Sequence, residues 1–417
     1  MGSRLQELWR LSQVRRLSRR EMLLVDLVVV ALSLVGYELA LSSLEHHQGV
    51  LTLAYAAFLI IVSGHMADLL GMSPALLEII AGLAIVWAAG SKLHGLEELK
   101  VLADIGAMFL LFLAGTEIDV KLLRRRLRDS LALGLLGFIA PSLLALLVMR
   151  QYGLSLEAGL LLMAGFSATS VALTYAILKA TGLLRSRAGQ VALAAAMIAD
   201  VLGMLLINFA SASFDPYTLL YIPVLLAALA LEPLLPRVSG GGFELETKFV
   251  LMAVLVLGIV SEVIGIHGVL TSFIMGVVIS ETLRHRERLR EKIEGVALGF
   301  FAPFFFVYSG ASMNPGLIVE ELVVILALGA GVALLKLGPS YLFFRSVWGA
   351  RQRHALLYSA SVTPLLTVSI ISASLGLSLG LIDERAYTWL MGVVLVTSGV
   401  ALALVYKLGG RHGIEAS

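Results

Sequence analysis

The chain has 417 residues, 59% hydrophobic and 14% charged, with a net charge of +2 and a mean hydropathy of +0.94. Soluble domains carry about 25% charged residues, so an ordinary soluble protein is excluded, and apolar runs of about 20 residues in place of alternating decamers select a helical bundle over a β-barrel. With no cysteine, disulfides, thiol chemistry and thiolate-bound metals are excluded too.

Residues 1–21 carry Arg4, Arg10, Arg15, Arg16, Arg19 and Arg20 ahead of an apolar run that has no A-x-A cleavage pattern. They read as a basic cytoplasmic tail before a retained helix. Fourteen apolar spans follow, at 24–44, 50–70, 74–90, 101–118, 130–149, 156–180, 188–210, 217–235, 249–264, 268–283, 296–313, 322–344, 354–377 and 387–407. Lys and Arg concentrate in every second connection, as the positive-inside rule requires. One side receives the N-terminal arginines, Lys121 to Arg128, Lys179 to Arg187, Arg237 and Lys248, Arg284 to Lys292, Arg345 to Arg353, and Lys407 with Arg411. The opposite loops are nearly free of them, with Lys92 and Lys100 the main exceptions. The prediction is a multi-pass protein of the cell (inner) membrane with both termini cytoplasmic, 411–417 forming a short tail.

The stretch Ser239 to Gly242 is the most linker-like piece of the chain. It divides the spans into a first repeat at 50–210 and a second at 249–407, joined by a linker helix at 217–235. The helix at 24–44 is an extra element, and the whole transmembrane region is 22–410. Seven spans separate corresponding helices, so the halves have opposite orientation, an architecture that places a substrate site near the midplane where interrupted helices meet. Each half has a suitable segment. The first is GFSATSVALT from Gly165 to Thr174, with Ser167, Thr169, Ser170 and Thr174. The second is YSASVTPLLT from Tyr358 to Thr367, with Ser359, Ser361 and Thr363 before Pro364. Proline lacks an N–H and hydroxyls can satisfy freed backbone groups, so both can unwind beside a cavity. Ordinary small-residue helix contacts and a proline kink are the alternative reading.

Asp200 lies at the centre of the 188–210 span. A mid-membrane carboxylate costs at least about 2.5–3.5 kcal/mol and is rare unless it faces a cavity, a partner or an ion. Such a group can hold a proton or a cation, one at a time, which is sufficient for exchange if the site opens to each side in turn. A carboxylic acid kept protonated as a hydrogen-bond donor is the other reading. Lys336, inside the 322–344 span, either snorkels to the basic side or serves as a counter-charge to Asp200, or to a hydroxyl or carbonyl of an interrupted helix. Asn208 could share the face of Asp200. Glu78, Glu117, Glu262, Asp68 and Asp104 lie toward span ends and read as caps and braces. The histidines show no metal-ligand spacing, no phosphate loop occurs, and the basic runs are topology signals touching membrane lipid, not nucleic-acid sites. No metal site beyond a transported cation and no cofactor is expected. One central aspartate and no Ser–base pair argue against an intramembrane enzyme.

Four segments carry a resemblance: PALLEIIAGL at 74–83, LADIGAMFLLFLAGTEID at 102–119, SEVIGIHGVLTSFIMGVVIS at 261–280 and FAPFFFVYSGASMN at 301–314. Together they resemble the cation/proton antiporter superfamily, most closely its branch of Kef-type potassium efflux systems and bacterial sodium/proton antiporters, over about 50–410. The resemblance implies a six-helix core with two crossed broken helices moving against a dimerisation domain. It makes Asp200 the essential carboxylate, with Thr169 and Ser170 in the first broken helix and Lys336 matching the lysine of the helix before the second; the second interruption read above would be lined by Ser361, Thr363 and Pro364. The resemblance implies exchange of Na⁺ or K⁺ for a proton, by alternating access in a homodimer; relatives have Asp, Asn or Gln where this chain has Ala199, so the exchange is expected to be electroneutral if Lys336 keeps its proton and electrogenic if it releases one. A Kef-like gated potassium efflux protein needing a separate regulatory subunit and a non-transporting sensor are the competing readings.

Overall fold

The structure, a computed structural model, describes residues 48–70, 72–89, 96–117, 127–211, 224, 226–229, 243–263 and 268–409. The predicted tails at 1–21 and 411–417, the extra helix at 24–44 and most of the linker helix at 217–235 lie outside them. The described residues form helices and turns without strands. In the first half these are α1 (Gln48–Leu70), α2 (Pro74–Ala89), α3 (Leu96–Thr116), α4 (Leu127–Tyr152), α5 (Leu156–Ser167), α6 (Val171–Ala180) and α7 (Arg187–Ser211). The second half contains α8 (Phe243–Val263), α9 (Gly268–Arg284), α10 (Glu287–Val296), α11 (Ala302–Ala311), the short α12 (Pro315–Glu320), α13 (Leu322–Ser346), α14 (Gln352–Ser361), α15 (Thr367–Ser378) and α16 (Glu384–Gly409). Seven described segments are long and apolar enough to cross a membrane, with three shorter apolar helices beside them. Exposed Leu135, Ile139, Leu143 and Leu147 on α4, and Val323, Leu326 and Leu334 on α13, suit a lipid-facing surface.

One boundary differs from the sequence reading. The basic run from Arg284 to Lys292 reads as a connection, but α10 begins at Glu287 and continues through a π turn at Ala297–Phe301 into α11. Its buried residues are Leu289 and Ile293, four apart on one face, so the segment is an amphipathic helix whose charges hide it from a hydropathy criterion.

Packing follows the halves. α2 lies against α11 as α9 lies against α3, and α4 contacts α7 as α13 contacts α16. Glycines let the backbones touch in the first two pairs. A Cβ at Gly82 would stand 1.9 Å from Val307 O and one at Gly310 1.9 Å from Ile79 O, while Gly276 and Gly115 meet Phe112 O and Phe273 O at 2.0 and 2.3 Å. Small residues at such crossings replace the hydrophobic drive that lipid removes. The contacts sort the helices into two groups, α1–α3 with α8–α11, and α4–α7 with α13–α16. The interrupted pairs α5/α6 and α14/α15 both belong to the second group.

Candidate ion site between two interrupted helices

α5 stops at Ser167 without a proline. Three residues, Ala168 to Ser170, leave the helix, and the Ser170 hydroxyl then caps α6 by accepting the Leu173 N–H at 3.3 Å. The interruption exposes two helix ends of opposite polarity, carbonyls at the end of α5 and N–H groups at the start of α6. Lys336 from α13 meets the first. It is fully buried, and Nζ donates to Ser167 O at 2.8 Å, Ala168 O at 2.9 Å and the Thr169 hydroxyl at 2.9 Å. An ammonium has three donors, and all three are used. Lys336 therefore does not snorkel.

Asp200 from α7 meets the second end. Its Oδ1 accepts the Thr169 N–H at 3.2 Å, and the Val171 N–H also faces it. The carboxylate is 8% exposed, and no side-chain donor among the described residues occupies its remaining acceptor positions. Two charges that would be costly alone are thus placed where the broken helix supplies the opposite partial charge.

The second interruption crosses the first. α14 ends before Pro364, whose ring disfavours a helical Thr363, and the chain resumes as α15 at Thr367. The Ser361 and Thr363 hydroxyls turn back to Tyr358 O and Ser359 O at 2.7 and 2.8 Å. The backbone makes the cross-link: the Ser170 N–H donates to Pro364 O at 2.9 Å and the Thr174 hydroxyl to Ser361 O at 2.8 Å. Ser398 of α16 donates to Leu365 O at 2.9 Å. Asp200, Thr169, Ser170, Lys336, Ser361, Thr363 and Pro364 are therefore gathered at one crossing.

Asn208 does not join them. It is exposed and donates to Met204 O of its own helix at 3.0 Å. Glu117, expected as a brace, follows the last residue of α3, within range of the charges of Asp200, Arg290 and Glu294. It stands third from the end of the LADIGAMFLLFLAGTEID segment, and nothing in that segment's spacing pairs it with Asp200.

These features define a class: an all-α polytopic membrane protein whose inverted halves cross two interrupted helices beside one buried carboxylate. The family model for the transmembrane region of sodium/hydrogen exchangers matches residues 52–405, and the chain belongs to that family. It is 31% identical over 353 residues to "Probable Na(+)/H(+) antiporter 3" of Methanocaldococcus jannaschii, covering 80% of this chain and 89% of that one. It is 26% identical over 368 residues to Na(+)/H(+)-K(+) antiporter GerN of Bacillus cereus, covering 84% and 94%. The solved structure of the sodium proton antiporter MjNhaP1 from M. jannaschii at pH 8 shares the fold, with a TM-score of 0.62 at 16% identity over 87% of this chain and all of that one.

Proposed function

We propose that the protein is a secondary active antiporter that exchanges Na⁺ or K⁺ for a proton by alternating access. The observation that carries this is Asp200, a membrane-buried carboxylate anchored to the N-terminal end of α6 with acceptor positions left over. The names of the two relatives above support the substrates. Asp200 holds the proton or the cation in turn, with Thr169 and Ser170 beside it, Ser361, Thr363 and Pro364 bracing the crossing, and Lys336 fixing the α5 end as counter-charge. With Ala199 preceding Asp200, one carboxylate exchanges one proton for one cation and no net charge moves. The site sits in a transmembrane unit with a first repeat at 50–210 and a second at 249–407, in a homodimer in the cell (inner) membrane with both termini cytoplasmic.

The test is purified protein in proteoliposomes with an imposed pH gradient and Na⁺, K⁺ or Li⁺. Cation-dependent dissipation of the gradient is expected, and Asp200→Asn is expected to abolish it. Full exchange by Asp200→Asn would remove the site, and no exchange by the unmodified chain would favour a sensor or a protein needing a regulatory subunit.

A further inference from the structure

The two helix groups are joined by hydrogen bonds at the face opposite the basic runs, where α11 ends and α16 begins. Tyr387, the fourth residue of α16, is 1% exposed, and its hydroxyl donates to Ser309 O of α11 at 2.6 Å. Ser309 lies in the last turn of α11, where carbonyls lack an intrahelical partner, so one group supplies the donor that the other needs. Two further contacts cross there: the Ser309 and Ser374 hydroxyls lie 3.5 Å apart, and Asn314 Nδ2 donates to Glu384 Oε2 at 3.0 Å. The same place in α7, at the basic face, is filled by Gln190, which instead donates to Leu184 O within its own group at 2.7 Å.

Between Asp200 and the Tyr387 face the helices also pack closely. Gly203, three residues beyond Asp200, packs against Val368 at the start of α15 and against Ala168, since a Cβ there would stand 3.0 Å from Val368 Cγ1 and 3.3 Å from Ala168 Cβ. Val368 is 1% exposed. Water can take over a hydrogen bond to a helix-end carbonyl when two surfaces part, so such a bond is made and broken at small net cost, which suits a contact that must reverse in every cycle.

We propose that Tyr387, Ser309 and Ser374 form the latch that closes the Asp200 site to the face opposite the basic runs, and that this latch opens in every exchange cycle. The inference rests on the antiport reading, and two assays separate their fates. Because the chain has no cysteine, Ser309→Cys with Ser374→Cys creates a single possible disulfide across the groups. In proteoliposomes exchange by the reduced double variant is the reference rate. Oxidation is expected to suppress exchange by more than about tenfold, with recovery on adding reductant. Undiminished exchange by the cross-linked protein, or failure of the pair to cross-link, would overturn the latch.

The second assay reads access without transport. With Val368→Cys as reporter, Tyr387→Phe is expected to raise labelling by a membrane-impermeant maleimide from the Tyr387 face about tenfold, as a shift in the closed population requires. Equal labelling with and without the hydroxyl overturns the proposal. If the unmodified chain exchanges no ions, the antiport reading fails, and the labelling ratio still decides whether the latch exists.

Discussion

Lys336 and Asp200 are joined through Thr169 and not to each other. Nζ of Lys336 donates to the Thr169 hydroxyl at 2.9 Å, and the Thr169 N–H donates to Asp200 Oδ1 at 3.2 Å. One residue of the interrupted helix thus contacts both groups. The Thr169 backbone that Asp200 holds belongs to the same residue whose hydroxyl Lys336 holds.

This chain of contacts separates two kinds of variant at position 169. Thr169→Ser keeps the hydroxyl and is expected to exchange with near-parental kinetics. Thr169→Val removes one acceptor from a fully buried ammonium, a loss of about 1–3 kcal/mol, and is expected to lower thermal stability and exchange together. The check is the melting temperature in detergent alongside transport in proteoliposomes. A Thr169→Val protein as stable and active as the parent would show that the link is idle.

Lys336 itself is a stabilising residue first. Removing it by Lys336→Ala leaves two carbonyls and a hydroxyl without donors at the end of α5. Each buried acceptor left unsatisfied costs about 1–3 kcal/mol. Lys336→Gln, with two amide donors, is expected to recover part of it. Thermal unfolding of the three proteins should rank them parent, Gln, Ala.

Charge movement is the test of Ala199. The parent is expected to give no transport current at matched ion gradients, and Ala199→Asp, which adds a second buried carboxylate beside Asp200, is expected to generate one if it folds. Solid-supported membrane recordings distinguish the two. A current from the parent would mean that a second proton, most simply that of Lys336, moves in the cycle.

The helix crossings give a prediction independent of function. Gly310→Ala would place a methyl group 1.9 Å from Ile79 O, where backbone must shift, and an overpacking cost of about 1–3 kcal/mol is expected. Gly137→Ala, whose added carbon meets nothing within 4 Å, is the control and is expected to leave stability unchanged or gain about 0.5–1 kcal/mol from helix propensity. Thermal unfolding in the same detergent compares them.

Much of the site is legible in the amino-acid sequence. Asp200 stands out because a charge at the centre of an apolar span is expensive, and Pro364 marks the second interruption because its ring cannot continue a helix. The first interruption is indicated by hydroxyls and small residues, and α5 does end at Ser167. The amphipathic α10 is not legible as helix, because six charged residues out of ten lower its hydropathy while Leu289 and Ile293 alone carry its buried face. Asn208 is misplaced by its spacing: eight residues from Asp200 leaves its face open, and its side chain bonds back to Met204 O.

Residue chemistry alone establishes that the chain is a helical membrane protein and singles out Asp200 as a carboxylate too costly to be left without a partner. Those conclusions rest on transfer energies and chain chemistry, which act locally. It takes the packed molecule to select which acceptors Lys336 takes, to cap a helix with the Ser170 hydroxyl while its N–H reaches Pro364, and to set Tyr387 against an orphan carbonyl of α11. Each of those partners lies far away in sequence or depends on which way a side chain turns, and only the packing of inverted halves brings them within hydrogen-bonding distance.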